Sequence, residues 1–97
     1  MATYVTLYNF TDQGIRNIKD NLKRVNAVKE AASQAGMQIK EVLWLQGQYD
    51  ILAISEASDE IAATAFTLST YKVGNVRGQT FRAFTTAEWE KILEKVT

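Results

Sequence analysis

Residues Tyr4–Phe10 alternate in character, with Tyr4, Thr6, Tyr8 and Phe10 on one parity and Val5, Leu7 and Asn9 on the other. Aromatic and β-branched side chains at period two predict a strand. From Ile15 the period changes. Ile15, Ile18, Leu22, Val25, Val28, Ala32 and Ala35 recur every three or four residues and predict one helix with a single apolar stripe. Thr11 or Asp12 supplies an N-cap oxygen, and Gly36 ends the helix because glycine takes the left-handed C-terminal position without steric cost. Two further apolar runs, Met37–Leu45 and Tyr49–Ser55, flank a short segment containing Gly47, the spacing of a β-hairpin with a slightly long loop. Ser58 or Asp59 caps a second helix bearing Ile61, Ala62, Ala63, Ala65, Phe66 and Leu68, which runs to about Lys72 and stops at Gly74. Its Thr64, Thr67, Ser69 and Thr70 weaken intrinsic helicity, so packing must hold it. Asn75–Phe84 predicts a fourth strand, and Thr85 or Thr86 caps a closing helix with Trp89, Ile92, Leu93 and Val96.

The resulting order, β-α-β-β-α-β plus a C-terminal helix, predicts an α+β, ferredoxin-like domain with a four-stranded antiparallel sheet, occupying residues 1–97 as one unit. Two helices cover only one face of such a sheet. The strands here are nevertheless apolar on both parities: Val5 and Leu7 oppose Tyr4, Tyr8 and Phe10, while Leu52 and Ile54 oppose Tyr49, Ile51 and Ala53. A sheet that faces water on one side usually shows a polar face there. Leaving these side chains wet forfeits roughly 1.5–3 kcal/mol each. Face-to-face pairing of two copies in a homodimer removes that cost with one isologous contact. The competing arrangement folds the C-terminal helix, with Trp89, Ile92 and Leu93, across the open face of its own chain.

Composition narrows the chemistry. The 97 residues include eleven basic and eleven acidic side chains, no histidine and no cysteine. A balanced charge disfavours nucleic acid, since binding a phosphate backbone draws on a surplus of Lys and Arg. The β-α-β-β-α-β order is shared with RNA-recognition domains, but their basic Gly-aromatic signature is missing. Without His or Cys there is no disulfide, no thiolate metal site and no Ser–His or Cys–His nucleophile pair. No carboxylate cluster has calcium-loop spacing. No cofactor or metal is expected. No stretch approaches the roughly 20 apolar residues that span a bilayer, and Met1–Phe10 does not read as a signal peptide. The default is a soluble, cytoplasmic domain with no membrane partner.

Among residues able to do chemistry, Asp50 stands out. It follows the turn glycine and opens an apolar strand, so a partly buried carboxylate there could serve as a general acid or base. The structural alternative, that it accepts backbone amides at the turn or pairs with Arg82, is favoured. Arg82, with Thr80 on the same parity, could clamp a ligand carboxylate or neutralise Asp50 or Glu41 across the sheet. Tyr8, Trp44, Tyr49 and Phe84 could line an apolar pocket with polar tips. The candidate ligand-binding set is therefore Tyr8, Trp44, Tyr49, Asp50, Thr80 and Arg82. Arg16, Lys19, Lys23 and Arg24 form a basic flank interspersed with Asp12, Asp20 and Glu30, which reads as a solvated face. Gly74–Asn75–Val76–Arg77–Gly78 runs from helix to strand, the wrong direction for a phosphate loop.

Several short motifs carry a family resemblance: Tyr4 and Leu7 in the first strand, Thr11–Gln13–Gly14–Ile15 entering the first helix, and Gly47–Gln48–Tyr49–Asp50 at the hairpin. Gly74–Asn75–Val76–Arg77 and Thr80–Phe81–Arg82–Ala83–Phe84 follow. In this order and spacing the chain resembles the GYD-domain family, small bacterial and archaeal proteins. The chain departs from the family pattern at Asn21, where proline is common, at Ser58, where proline is common, and at Gly78, where a hydroxyl residue is usual. The resemblance implies a protomer pairing into a dimeric α/β barrel. It implies no activity, because the family is one of uncharacterised function.

Two readings of function follow. The first is a homodimer that binds a small molecule in or near the barrel formed by the two sheets. The second, by analogy of fold, is a cofactor-independent enzyme of monooxygenase or isomerase type using Asp50 as acid or base.

Overall fold

The computed structural model describes residues 1–97. Strand β1 spans Ala2–Phe10, β2 Met37–Trp44, β3 Ile51–Ala57 and β4 Val76–Ala83. The helices are α1 (Asp12–Arg16), α2 (Asn21–Gln34), α3 (Glu60–Val73) and α4 (Thr86–Glu94), with a 3₁₀ turn at Ile18–Asp20 between α1 and α2. The strands form one sheet in the order β2-β3-β1-β4, with every neighbouring pair antiparallel. This is the ferredoxin-like α+β fold expected. No helix is long and apolar enough to cross a membrane.

The element ends follow the capping chemistry. Thr11 accepts the Gly14 amide, Asp59 accepts the amides of Ile61 and Ala62, and Thr85 forms a reciprocal capping box with Glu88. Gly36 and Gly74 adopt positive φ, 83° and 95°, where the chain leaves α2 and α3. The hydroxyls of Thr64, Thr67, Ser69 and Thr70 donate to the carbonyls four residues earlier, so α3 absorbs its unfavourable residues internally.

The single helix expected from Ile15 to Ala35 is broken. Asn17 turns out of α1 with its side chain bonded to the Gln13 carbonyl, and the 3₁₀ turn follows before α2 begins at Asn21. A 3₁₀ turn advances about 120° per residue against 100° for an α-helix, so three residues rotate the stripe by about 60°. Leu22 is consequently 61% exposed, while Asn21 and Ala32 are buried.

Strand β2 contains a second irregularity. Ile39 pairs with Ser55 but Glu41 pairs with Ile54, so Lys40 is the extra residue of a β-bulge. The bulge switches parity and puts Met37, Ile39, Val42 and Trp44 on one side of the sheet. Register carries Tyr4, Thr6 and Tyr8 of β1, Ile51, Ala53 and Ser55 of β3, and Gly78, Thr80 and Arg82 of β4 to that same side. There Ala32 of α2 and Ala63 of α3 pack with Met37 and Ala57, flanked by Tyr4, Ile39 and Phe66.

The opposite face carries Val5, Leu7, Leu52, Ile54, Leu43 and Phe81. Phe81 is 43% exposed and Leu43 lies open as well. Helix α4 does not fold down to shelter itself: Trp89 and Leu93 are 52% and 53% exposed. The protomer is long and thin, 51 × 31 × 18 Å, and only ten residues are buried. Its accessible surface of 6892 Å² exceeds the roughly 5,600 Å² usual for a monomer of 10.9 kDa.

Candidate functional site

The helix-covered side of the sheet is not filled. Helix α2 packs along β2 and α3 along β4, and between them, over the central strands, lies an apolar cavity of about 370 Å³. Val25 and Val28 of α2, Phe66 and Val73 of α3, and Ile51 and Ala53 of β3 supply most of its wall. Helical spacing explains the α2 contribution, since Asn21, Arg24, Val25 and Val28 fall on one face once the 3₁₀ turn has rotated the helix. Twelve of seventeen lining residues are hydrophobic, so the five others decide what the cavity can recognise. They are Asn21, Arg24, Ser69, Thr70 and Asn75, with the phenol of Tyr8 as a further polar tip.

Each polar group has a defined state. Asn21 Oδ1 accepts Trp44 Nε1 at 2.7 Å, and Asn75 Oδ1 accepts Gln13 Nε2 at 3.0 Å. Both amide nitrogens are thereby left as donors. Burial pushes the Tyr8 phenol above its ordinary value, and the adjacent Tyr71 adds to the rise. Tyr8 therefore stays protonated and able to donate. Its ring meets that of Tyr71 edge-on at 6.4 Å, and both lie over Gly78. A Cβ at Gly78 would come within 2.8 Å of Tyr8 Cδ1 and 2.9 Å of the Leu7 carbonyl oxygen, which is why this chain has glycine there.

Arg24 is the unexpected member. Read from sequence as part of a solvated basic flank, it instead lines the cavity, and its Nη2 is buried with no hydrogen-bond partner. No carboxylate lines the cavity and Arg24 joins neither salt bridge of the chain. Sequence reasoning also missed Asn21, Ser69 and Thr70. The available signal was one cation, Arg24, three residues after Asn21 and next to Val25 on the phase that faces the sheet.

The six expected ligand-binding residues do not form one site. Tyr8 lines the cavity and Trp44 reaches it through Asn21. Tyr49 lies half-buried in the β2–β3 loop. Asp50 is not part of the lining: its Oδ2 accepts the Phe10 amide at 2.9 Å and its own amide donates to the Tyr8 carbonyl. Thr80 bonds Thr6 through its hydroxyl at 3.0 Å and lines a second hollow, of about 610 Å³, beneath α3. That hollow opens toward the exposed Ile61 and Leu68 of α3. Arg82 neutralises neither Asp50 nor Glu41. It pairs with Glu88 at 3.1 Å and stacks over Phe84 at 4.5 Å. The reason is register: Arg82 sits opposite Tyr4, whereas Asp50 lies beyond Tyr8, about 13 Å further along β1. Glu41 shares the other face of the sheet with Ile54. Tyr8, Trp44, Thr80 and Arg82 all occupy the helix-covered side, so they cannot line a space between two facing sheets.

Residues 4–93 match the model of the GYD domain. The chain belongs to the GYD-domain family. No curated protein and no solved structure matches it. Three of the GYD motifs, at Thr11–Ile15, Gly47–Asp50 and Gly74–Arg77, converge on one end of β1. On one side, Gln48 accepts Asn9 Nδ2 at 2.7 Å and Asp50 accepts Phe10. On the other, Thr11 bonds the Gly74 carbonyl and, through its amide, that of Asn75, while Gln13 bonds the Val73 carbonyl. Gly14 packs so closely on the Asn75 carbonyl that a Cβ would collide with its oxygen. In this GYD domain these three motifs thus form a backbone knot beside Tyr8 and Asn75, at one end of the cavity.

Proposed function

We propose that this GYD domain is a cytoplasmic homodimer that binds a small molecule, with the ligand held in each protomer between α2, α3 and the sheet. The observation that carries the binding reading is the apolar cavity of about 370 Å³ with its few polar tips. Ligand sites have this mixture of apolar wall and sparse polar groups. The cavity replaces the inter-sheet location expected from sequence, because the polar candidates lie on the helix-covered side.

Pairing is supported by the second apolar face. Val5, Leu7, Leu52, Ile54 and Phe81 form one surface with no helix over it, and the protomer exposes about 1,300 Å² beyond the monomer norm. Stable interfaces bury about 1,200–2,000 Å² in total, so a second copy laid sheet to sheet is a sufficient cover. The face is flanked by the Lys40–Glu56 pair, which suits an uncharged, self-complementary contact. The acid–base alternative has less support, since Asp50 lies outside the cavity lining and its Oδ2 accepts the Phe10 amide.

Native mass spectrometry and sedimentation of freshly purified protein test both parts. The expected species is twice 10.9 kDa, carrying or taking up a small molecule. A monomer at micromolar concentration would refute the pairing. A bare protein with no thermal shift across a broad metabolite panel would refute the binding.

A further inference from the structure

We infer that the ligand class is a small organic monoacid, with an apolar body between α2 and α3 and its carboxylate on Arg24. This rests on the cavity-binding reading above and names the chemistry of that site. Three observations carry it. The first is the cation itself: half-buried Arg24 lines the cavity and joins no ion pair, and its Nη2 is buried without any partner. A buried donor left unmade is expensive, and an anion brought to this guanidinium would meet it.

The second is the remaining lining. No Asp or Glu lines the cavity, so the chain itself supplies no counter-ion there. The neighbouring polar groups are biased toward donation. Asn21 and Asn75 have their side-chain oxygens occupied by Trp44 and Gln13, which leaves their amide nitrogens free to donate. Asn21 stands one helical turn before Arg24, on the same face of α2. A guanidinium with an adjacent amide donor suits a carboxylate, whose two oxygens accept several hydrogen bonds. The third is size and polarity. About 370 Å³ is roughly twelve times a water's share of liquid volume, which fits a molecule of about a dozen non-hydrogen atoms. Val25, Val28, Ile51 and Phe66 offer such a body only apolar contact.

The acid and the cavity are separable by experiment. 3-Phenylpropanoate and its uncharged analogue 3-phenylpropan-1-ol are titrated into ¹⁵N-labelled dimer or monomer, whichever the protein is, following amide shifts of α2, α3 and Asn75. The expected result is saturable binding of the acid with shifts at Asn21, Arg24, Phe66 and Asn75, at least tenfold tighter than the alcohol. Arg24→Met should erase that preference, so that acid and alcohol bind alike. Because the substitution removes an unpaired buried donor, Arg24→Met should also melt no lower than the parent in the absence of ligand. Equal binding of acid and alcohol overturns the carboxylate assignment and leaves the cavity as a binding site. A preference that survives in Arg24→Met overturns it as well. If neither probe shifts the cavity residues, both the assignment and the binding reading fall.

Discussion

Asp50 Oδ2 accepts the backbone amide of Phe10 at 2.9 Å. The β1–β3 ladder ends with Tyr8 opposite Ile51, so the Phe10 amide would otherwise point at a loop with no carbonyl to meet it. The carboxylate takes the place of that carbonyl. Asp50 also donates its amide to the Tyr8 carbonyl at 2.8 Å and accepts the Leu45 amide at 2.8 Å. One side chain and one peptide unit therefore tie the hairpin loop to the end of β1, and the residue that sequence marks as the strongest acid–base candidate is a backbone strut.

Replacing Asp50 separates these roles. Asp50→Ala leaves the part-buried Phe10 amide unpaired and should cost about 1–3 kcal/mol. For a domain of this size that is a fall in Tm of roughly 5–15 °C. Asp50→Asn keeps an acceptor oxygen and should lose less than half as much. Chemical denaturation of the pair measures the difference, and equal losses would show that the amide contact is not what the residue contributes.

Gly78 should be equally intolerant, for a steric reason. A methyl group there meets Tyr8 Cδ1 at 2.8 Å, the Leu7 carbonyl oxygen at 2.9 Å and Tyr71 Oη at 3.0 Å. Two rings can shift but a strand carbonyl cannot shift cheaply, so Gly78→Ala should destabilise by about 1–3 kcal/mol. The near-ultraviolet dichroism of the tyrosines should change with it. An unchanged spectrum at unchanged stability would show that the Tyr8–Tyr71 pair does not rest on the glycine.

The elements were legible in the sequence because their signals are local: period two in β1, and caps at Thr11, Asp59 and Thr85, each of which bonds as its residue type demands. The site was not, because it depends on phase. Ile18 keeps the three-to-four spacing of the stripe through the 3₁₀ turn, which hides the rotation that exposes Leu22 and brings Arg24 to the cavity wall. The bulge at Lys40 likewise reverses parity without any glycine or proline to announce it. Asp50 and Arg82 are a third case. Both were visible as candidates, but their separation along β1 follows from strand register, which is a property of pairing and not of either segment alone.

The closing helix should be sensitive to acid. Glu88 is held below the usual carboxylate range, first by the Thr85 backbone amide and then by the Arg82 guanidinium. A lowered folded-state value means that the carboxylate supports the structure above its unfolded value near 4.5, and that this support is lost as pH falls through the lowered one. Amide shifts of Thr85–Glu94 should therefore report fraying of α4 in acid while the sheet is still folded. Glu88→Gln, whose amide oxygen can still accept the Thr85 amide, should remove the acid transition. Acid fraying that persists in Glu88→Gln would place its origin elsewhere.

At alkaline pH the controlling group should be Tyr8. Burial raises its phenol above 10.0, with Tyr71 adding to the effect. The unfolded chain then ionises first, so the contribution of Tyr8 to stability is constant below about 10 and declines as pH rises from there toward the raised folded value. Tyrosinate absorbance should show a late-ionising component. Tyr8→Phe should remove that late component and flatten the alkaline loss of stability. Tyr71→Phe should move the late component toward 10 without merging it, since burial is the larger cause and remains in place. A late component that survives in Tyr8→Phe would assign it to a different ring and would leave Tyr8 without the buried environment that the cavity wall requires.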